Sequence, residues 1–146
     1  MPSPNDDLAQ LWLLTRRVAS LMDRAGEALI RSSLDISMSQ FLVLSVVDAH
    51  PGRINQQAVA DRLGLTKGSV SRQIDAAVAA GLMTVTVSPE SRREHVVALT
   101  PAGTRLVRRG DRLVDREQLS SLPPVSAADL AATIRVLRLL NDAFDA

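Results

Sequence analysis

Cationic and hydroxyl side chains are concentrated in one short segment of this 146-residue chain. The segment follows Gly64-Leu65-Thr66 and carries Lys67, Ser69, Ser71 and Arg72. Hydroxyls, a lysine and the free backbone N–H groups of a helix start suit phosphate oxygens. An arginine one turn further on offers two donors that match O6 and N7 of guanine. These residue types indicate contact with DNA, although each one alone would also keep an exposed helix soluble.

The spacing of apolar residues places this segment on the second of two short helices. Asn55 is predicted to cap a helix over residues 56–63, Gly64 supplies a turn, and Thr66 caps the next helix. The second helix is predicted to bury Val70, Ile74, Ala77 and Val78 and to end at Gly81. A step of about 100° per residue then places Arg72 on the outer side. Two short helices joined by such a turn predict a helix-turn-helix.

A β-hairpin is predicted directly after this pair of helices. Residues 84–87 and 95–99 are rich in β-branched side chains and flank a polar loop over residues 88–94. Arg92 and Arg93 lie in the loop, so we expect them at the hairpin tip. Charged loop tips are common, but beside a helix-turn-helix two guanidinium groups could enter the minor groove of DNA, whose negative potential attracts arginine.

Four further helices surround these elements. They are predicted at residues 8–32, 38–49, 101–120 and 127–144. Their predicted caps are Asp6 or Asp7, Ser37, Thr100 and Ser126. The first and last helices carry apolar stripes, which indicate either packing within one subunit or a dimer interface. The predicted fold is mainly α with a small β-hairpin: a winged helix-turn-helix flanked by terminal dimerisation helices.

The charges are distributed unevenly along the chain. Between Arg53 and Arg116 there are 11 basic and 6 acidic residues, whereas the rest of the chain has 6 basic and 10 acidic residues. A basic middle between acidic ends is expected when one part of a protein meets a polyanion, and solvated helix faces are the alternative explanation.

The inventory of reactive side chains does not favour an enzyme. There is no Cys and no Tyr, which excludes thiol redox chemistry and thiolate metal sites. His50 and His95 belong to no catalytic or metal-binding pattern, and Gly64-Leu65-Thr66-Lys67-Gly68-Ser69 lacks the residue order of a phosphate-binding loop. We therefore predict no cofactor and no metal. The N-terminus is polar and acidic, and the longest apolar run, Phe41 to Val47, spans only seven residues and is interrupted by Ser45. These features predict a cytoplasmic protein without a membrane span.

Three motifs in this order resemble the MarR family of winged helix-turn-helix regulators. They are the segment from Leu63 to Ile74, Gly81-Leu82-Met83, and Ser91-Arg92-Arg93 followed by Leu99-Thr100-Pro101-Ala102-Gly103. The resemblance covers essentially the whole chain. The hairpin of this family is called the wing. One position differs from the family pattern: Ser91 stands where the family usually has an aspartate that pairs with an arginine and braces the wing. Glu90 and Glu94 are the candidate substitutes.

The resemblance implies a homodimer that binds a pseudo-palindromic operator in double-stranded DNA, usually as a repressor. It also implies release by a small, often aromatic or anionic, ligand. A pocket between the first, second and Arg-rich helices could offer Trp12 or Phe41 for stacking and an arginine for a carboxylate. The candidate DNA-binding residues are Thr66, Lys67, Ser69, Ser71, Arg72, Gln73, Arg92 and Arg93.

The expected organisation is a single domain over residues 1–146. Residues 37–100 form its DNA-binding winged helix-turn-helix, and residues 6–33 and 101–146 form its helical dimerisation part. The alternative function is that of a winged-helix module that binds proteins without specific DNA binding, because one fold can serve either purpose.

Overall fold

The computed structural model describes residues 3–52 and 54–145, and Arg53, the first residue of the basic stretch, lies outside them. Within these residues the chain forms six α-helices and a three-stranded antiparallel sheet. The elements in order are α1 (Pro4–Leu34), α2 (Met38–Asp48), β1 (Ile54–Asn55), α3 (Gln56–Leu63), α4 (Lys67–Ala79), β2 (Met83–Ser88), β3 (Ser91–Leu99), α5 (Pro101–Glu117), a 3-10 turn (Leu119–Ser121) and α6 (Ala127–Phe144). The predicted fold class is confirmed.

The first helix begins earlier than the sequence pattern predicts. Ser3, and neither Asp6 nor Asp7, is its cap. The Ser3 hydroxyl accepts a hydrogen bond from the Asp6 backbone N–H at 3.3 Å, and the Asp6 carboxylate accepts one from the Ser3 backbone N–H at 3.0 Å. Pro4 favours this start because its fixed φ suits the first position of a helix and its missing N–H needs no partner there.

The sheet contains a strand that the sequence analysis missed. Its order is β1-β3-β2, and β1 pairs with β3 through Ile54 opposite Val97 and Asn55 opposite Val96. A strand of two residues is too short to show an alternating pattern in the sequence. It can be recognised only from its pairing with β3.

The hairpin turn is shorter than predicted. β2 and β3 pair from Met83 opposite Leu99 to Val87 opposite His95, after which the register shifts and Ser88 lies opposite Ser91. Arg92 and Arg93 therefore belong to strand β3 and not to the loop, and the turn itself is at Pro89 and Glu90. The expectation that both arginines form the tip is corrected accordingly.

The core lies under the helix-turn-helix and the sheet. Its members are Val43, Leu44 and Val47 of α2, Ile54, Val59 and Ala60 of β1 and α3, Val70, Ile74 and Ala77 of α4, and Met83, Val97 and Val107. The predicted stripe of α4 is confirmed at three positions and wrong at Val78, which is 41% exposed. The buried stripe thus ends at Ala77, one residue before the predicted end, in the last turn of α4.

Helix α5 approaches the core closely at two glycines. A Cβ atom on Gly103 would overlap the carbonyl oxygen of Leu82, and one on Gly110 would overlap the ring of Phe41. Side chains at these positions would push α5 away from the start of β2 and from α2.

The terminal helices contribute little to this core. Helix α1 buries only Gly26, Ile30 and Leu34, near its C-terminal end, and α6 buries no residue. The two helices meet at Trp12 and Phe144, whose ring centroids are 5.6 Å apart.

Across residues 3–52 and 54–145, no single helix is long and apolar enough to cross a membrane. Only α1 and α2 taken together, which are bent by 83° relative to each other, meet that criterion.

Candidate nucleic-acid interface

The turn before α4 sets the start of that helix. Gly64 ends α3 with a left-handed φ of 62°, and its N–H donates to the carbonyls of Ala60 and Asp61. Thr66 then caps α4, because its hydroxyl oxygen accepts a hydrogen bond from the Ser69 N–H at 3.2 Å. The Thr66 oxygen thus accepts one hydrogen bond within the protein and keeps its O–H as a donor. The N–H groups of Lys67 and Gly68, in the first turn, project from the helix end.

The outer side of α4 carries the predicted cations. Lys67 and Arg72 are exposed, and Val70, Ile74 and Ala77 are buried on the other side. Ser69, Ser71 and Gln73 are half-buried at the margins. The predicted outward position of Arg72, one turn into the helix, is therefore what the structure shows.

Gly68 leaves the first turn of α4 open. A Cβ atom at this position would meet no atom within 4 Å. The space in front of the turn is empty, so a flat or rod-like surface can come close to the backbone there.

The wing lies beside the start of α4 and is joined to α3 by one side-chain hydrogen bond. Asn55 Nδ2 donates to Glu94 Oε1 at 2.5 Å, and Asn55 Oδ1 accepts from the Ala58 N–H at 2.8 Å. One asparagine thus caps α3 and holds β3. Of the two candidate substitutes for the missing aspartate, Glu94 makes a bracing contact, and it does so with an asparagine instead of an arginine.

A small hollow separates the wing from the two short helices. We call it the wing hollow; it measures about 200 Å³ and its lining includes Asn55, Gln57, Lys67, Arg93, Glu94 and His95. It brings Lys67 and Arg93 to one place, whereas Arg92 does not line it. Among these residues Asn55, Gln57 and His95 were missed by the sequence analysis, because their grouping depends on the pairing of β1 with β3.

The predicted cations have no acidic partners in the described part of the chain. Its ion pairs join Arg31 to Glu27, Arg108 to Asp48 and Asp111, and Arg116 to Glu117. None of them includes Lys67, Arg72, Arg92 or Arg93. Exposed cations without internal partners are available to an external anion.

Glu27 connects the long first helix to the helix that precedes the turn. Its carboxylate accepts a hydrogen bond from the Met38 backbone N–H at 2.7 Å and another from Arg31 Nε at 2.8 Å. The hydrogen bond from Met38, and then the one from Arg31, hold the pKa of Glu27 below its ordinary value. The start of α2 is therefore fixed by α1 as well as by its own cap, Ser37, whose hydroxyl accepts from the Gln40 N–H.

The expected stacking pocket is not formed as predicted. Phe41 is only 4% exposed and packs against Gly110, so its ring is part of the core. Trp12 lies near the N-terminal end of α1 and packs against Phe144. Two open grooves have other linings. One of about 840 Å³ lies between α2, α3 and the end of α6, and one of about 660 Å³ lies between α1, α2 and Leu65 of the turn.

The sequence of the winged helix is similar to a known family. Residues 34–94 match the sequence model of the MarR family. The matched residues run from the end of α1 to Glu94, and thus include the helix-turn-helix and most of the wing. Among curated proteins, none matches the chain by sequence.

Solved structures of proteins that regulate transcription or bind DNA have the same fold. The transcriptional regulator BldR from Sulfolobus solfataricus has a TM-score of 0.82 at 18% identity, and the match covers 94% of this chain and 99% of BldR. A cysteine-to-serine mutant of MarR from E. coli, complexed with operator DNA, has a TM-score of 0.77 at 23% identity, covering 95% and 99% of the two chains. BpsR from Bordetella bronchiseptica, whose DNA binding is regulated by 6-hydroxynicotinic acid, has a TM-score of 0.75 at 25% identity, covering 88% and 91%.

Proposed function

We propose that this chain is a transcriptional regulator of the MarR family that binds a specific operator in double-stranded DNA and acts as a repressor. The observation that carries the proposal is the outer side of α4, where Lys67 and Arg72 are exposed and lack acidic partners among the described residues. An arginine one turn into a helix that enters the major groove can reach a guanine edge. The E. coli relative of the same fold was solved on operator DNA, which supports this assignment.

The proposed regulator works as a homodimer. Half of α1 and all of α6 expose large apolar side chains, among them Leu8, Leu14, Val18, Leu130 and Phe144. Many exposed large apolar side chains on two helices of a small protein are typical of a subunit interface. A dimer also explains a palindromic operator, because half-sites about 34–36 Å apart need two recognition helices in a fixed relation. We assign residues 37–100 to DNA binding and residues 6–33 and 101–146 to dimerisation, within one domain over residues 1–146.

A small aromatic or anionic ligand is the proposed signal for release. The support is the regulation of BpsR by 6-hydroxynicotinic acid, a small aromatic compound. A ligand releases DNA only if it binds the DNA-incompetent arrangement more tightly, so the ligand and the operator must weaken each other reciprocally. We place the regulator in the cytoplasm and assign it no enzymatic activity.

The test is a DNA-binding measurement with the full chain. Duplexes are selected from a random pool with the wild-type protein, and the affinity is then measured on the selected duplex and on an unrelated one over a series of salt concentrations. We expect tighter binding to the selected duplex and a steep loss of affinity with salt on both. Failure to enrich any sequence, together with flat salt dependence, would favour a protein-binding module instead.

A further inference from the structure

The wing hollow combines two cations that come from different elements. Lys67 is the first residue of α4 and Arg93 is the third residue of β3, yet both line the same space of about 200 Å³. We propose that this hollow binds one phosphate of the DNA backbone, so that Arg93 is a phosphate ligand and not a reader of the minor groove. The inference rests on the proposed function and names the chemical group that one part of the interface takes.

The chemistry of the lining suits a phosphate. Lys67 offers an ammonium group with three donors, and Arg93 offers a planar guanidinium group that can donate two parallel hydrogen bonds to one phosphate. The amide nitrogen of Gln57, in the same lining, donates one N–H to Asp61 Oδ1 at 2.8 Å and has a second N–H as a neutral donor. Donors of this kind recognise an oxyanion without regard to the base sequence, which is what a backbone contact requires.

Glu94 is the carboxylate in this lining, and its position explains why it can stay there. Its Oε1 accepts the hydrogen bond from Asn55 Nδ2, which joins β3 to the cap of α3. That hydrogen bond holds the wing beside the helices and so sets the width of the hollow. The two cations of the lining, Lys67 and Arg93, outnumber the single negative charge of Glu94. Glu94 is thus a positioning residue for Arg93.

The structure separates the two neighbouring arginines of the wing. Ser91, Arg93, Glu94 and His95 of β3 line the hollow, whereas Arg92 does not. The register shift after Val87 interrupts the regular alternation of side chains in this part of β3, so the distinction between Arg92 and Arg93 rests on which of them lines the hollow. Arg92 remains the candidate for the minor groove, and the pair no longer acts as one unit.

The experiment compares Arg93→Ala with Arg92→Ala, its matched neighbour, on the selected duplex with A·T-rich flanks and on an unrelated duplex. Thermal unfolding checks that each variant is folded. For Arg93→Ala we expect the same fold-loss of affinity on both duplexes and a smaller salt slope. For Arg92→Ala we expect the larger fold-loss on the duplex with A·T-rich flanks, where the minor groove is narrow.

The double variant Lys67→Ala with Arg93→Ala tests whether both side chains hold one phosphate. If they do, the slope of log affinity against log salt falls by no more than about 0.9 per protomer, whereas two separate phosphates would give about twice that fall. A fall of that larger size, or a loss for Arg93→Ala confined to A·T-rich flanks, overturns the phosphate assignment. A wild-type chain without salt-dependent DNA binding overturns the proposed function together with it.

Discussion

At the scale of single residues, Arg72 and Lys67 occupy the same helix but should contribute differently to DNA binding. Arg72 lies one turn inside α4 on its outer side, and Lys67 lies at the helix start beside the wing hollow. Loss of a base contact lowers the affinity for some DNA sequences more than for others. Loss of a phosphate contact lowers the affinity for all sequences alike. The two side chains can therefore be assigned by separate measurements.

For Arg72→Ala we expect a loss of about 1–3 kcal/mol per half-site and a relaxed preference at one base pair. Lys67→Ala is the matched control. We expect it to lower the affinity for all duplexes by the same factor and to reduce the slope of log affinity against log salt. Anisotropy titrations against single-base-pair variants of the selected duplex measure both effects. Unchanged specific affinity in Arg72→Ala would contradict the base-reading assignment.

Gly68 gives a second test at the residue scale. Gly68→Ala should stabilise the folded protein by up to about 1 kcal/mol, because alanine favours the helix more than glycine and the added methyl group meets no atom. The same methyl group stands between the first turn and an approaching DNA backbone, so DNA affinity should fall. Urea denaturation and DNA titration give the two values, and a variant that is more stable and binds DNA equally well would show that the turn stays clear of the backbone.

At the scale of elements, the joint between α1 and α2 determines how the helix-turn-helix is attached to the terminal helices. Glu27 accepts the Met38 N–H across this joint, and Gly26 lies against the Met38 side chain. The α5 helix adds a bidentate pair from Arg108 to Asp48, at the other end of α2. Helix α2 is thus held at both ends by its neighbours.

The lowered pKa of Glu27 gives this joint a pH dependence. Since the folded-state pKa lies below the ordinary value of 4.5, the charged carboxylate stabilises the fold above that value, and this contribution is lost as the pH falls through the folded-state pKa. We expect Glu27→Gln to lower Tm at neutral pH, and the difference from the wild type to shrink as the pH falls below about 4.5. Asp23→Asn, one turn earlier on α1, is the control. A Tm difference that is constant from neutral pH to pH 3 would contradict the prediction.

At the scale of the whole molecule, the apolar surface of α6 is the most accessible test of the dimer. Ile134 and Leu137 are exposed, and no residue of this helix is buried in the single chain. We expect Leu137→Glu to shift the protein from dimer to monomer, because a charge would be buried in an apolar interface. Arg138→Glu, at the next residue, is the control. Sedimentation velocity measures whether each variant is a dimer or a monomer.

Removal of residues 126–146 gives the corresponding larger change. It should yield monomers or insoluble protein, since the apolar residues of α1 would lose their partner surface. A truncated chain that is folded, dimeric and still bound tightly to its selected duplex would refute this role for α6.

The sequence by itself determined the elements that depend on neighbouring residues. Asn55, Thr66, Thr100 and Ser126 cap the helices that follow them, as predicted, and Gly64 forms the left-handed turn between α3 and α4. Caps, turns and a helical stripe are set within a few residues along the chain, so their signals are visible in the sequence. The outward position of Arg72 follows from the same local periodicity.

Only the tertiary structure decided the features that join distant residues. The pairing of Ile54 with Val97, the hydrogen bond from Asn55 to Glu94 and the packing of Phe41 against Gly110 each bring together side chains from separate elements. The pairing of β2 with β3 set the length of the hairpin turn and placed Arg92 and Arg93 in β3. No local pattern encodes these contacts, because they form only when the helices and strands pack, and the wing hollow with its two cations is their product.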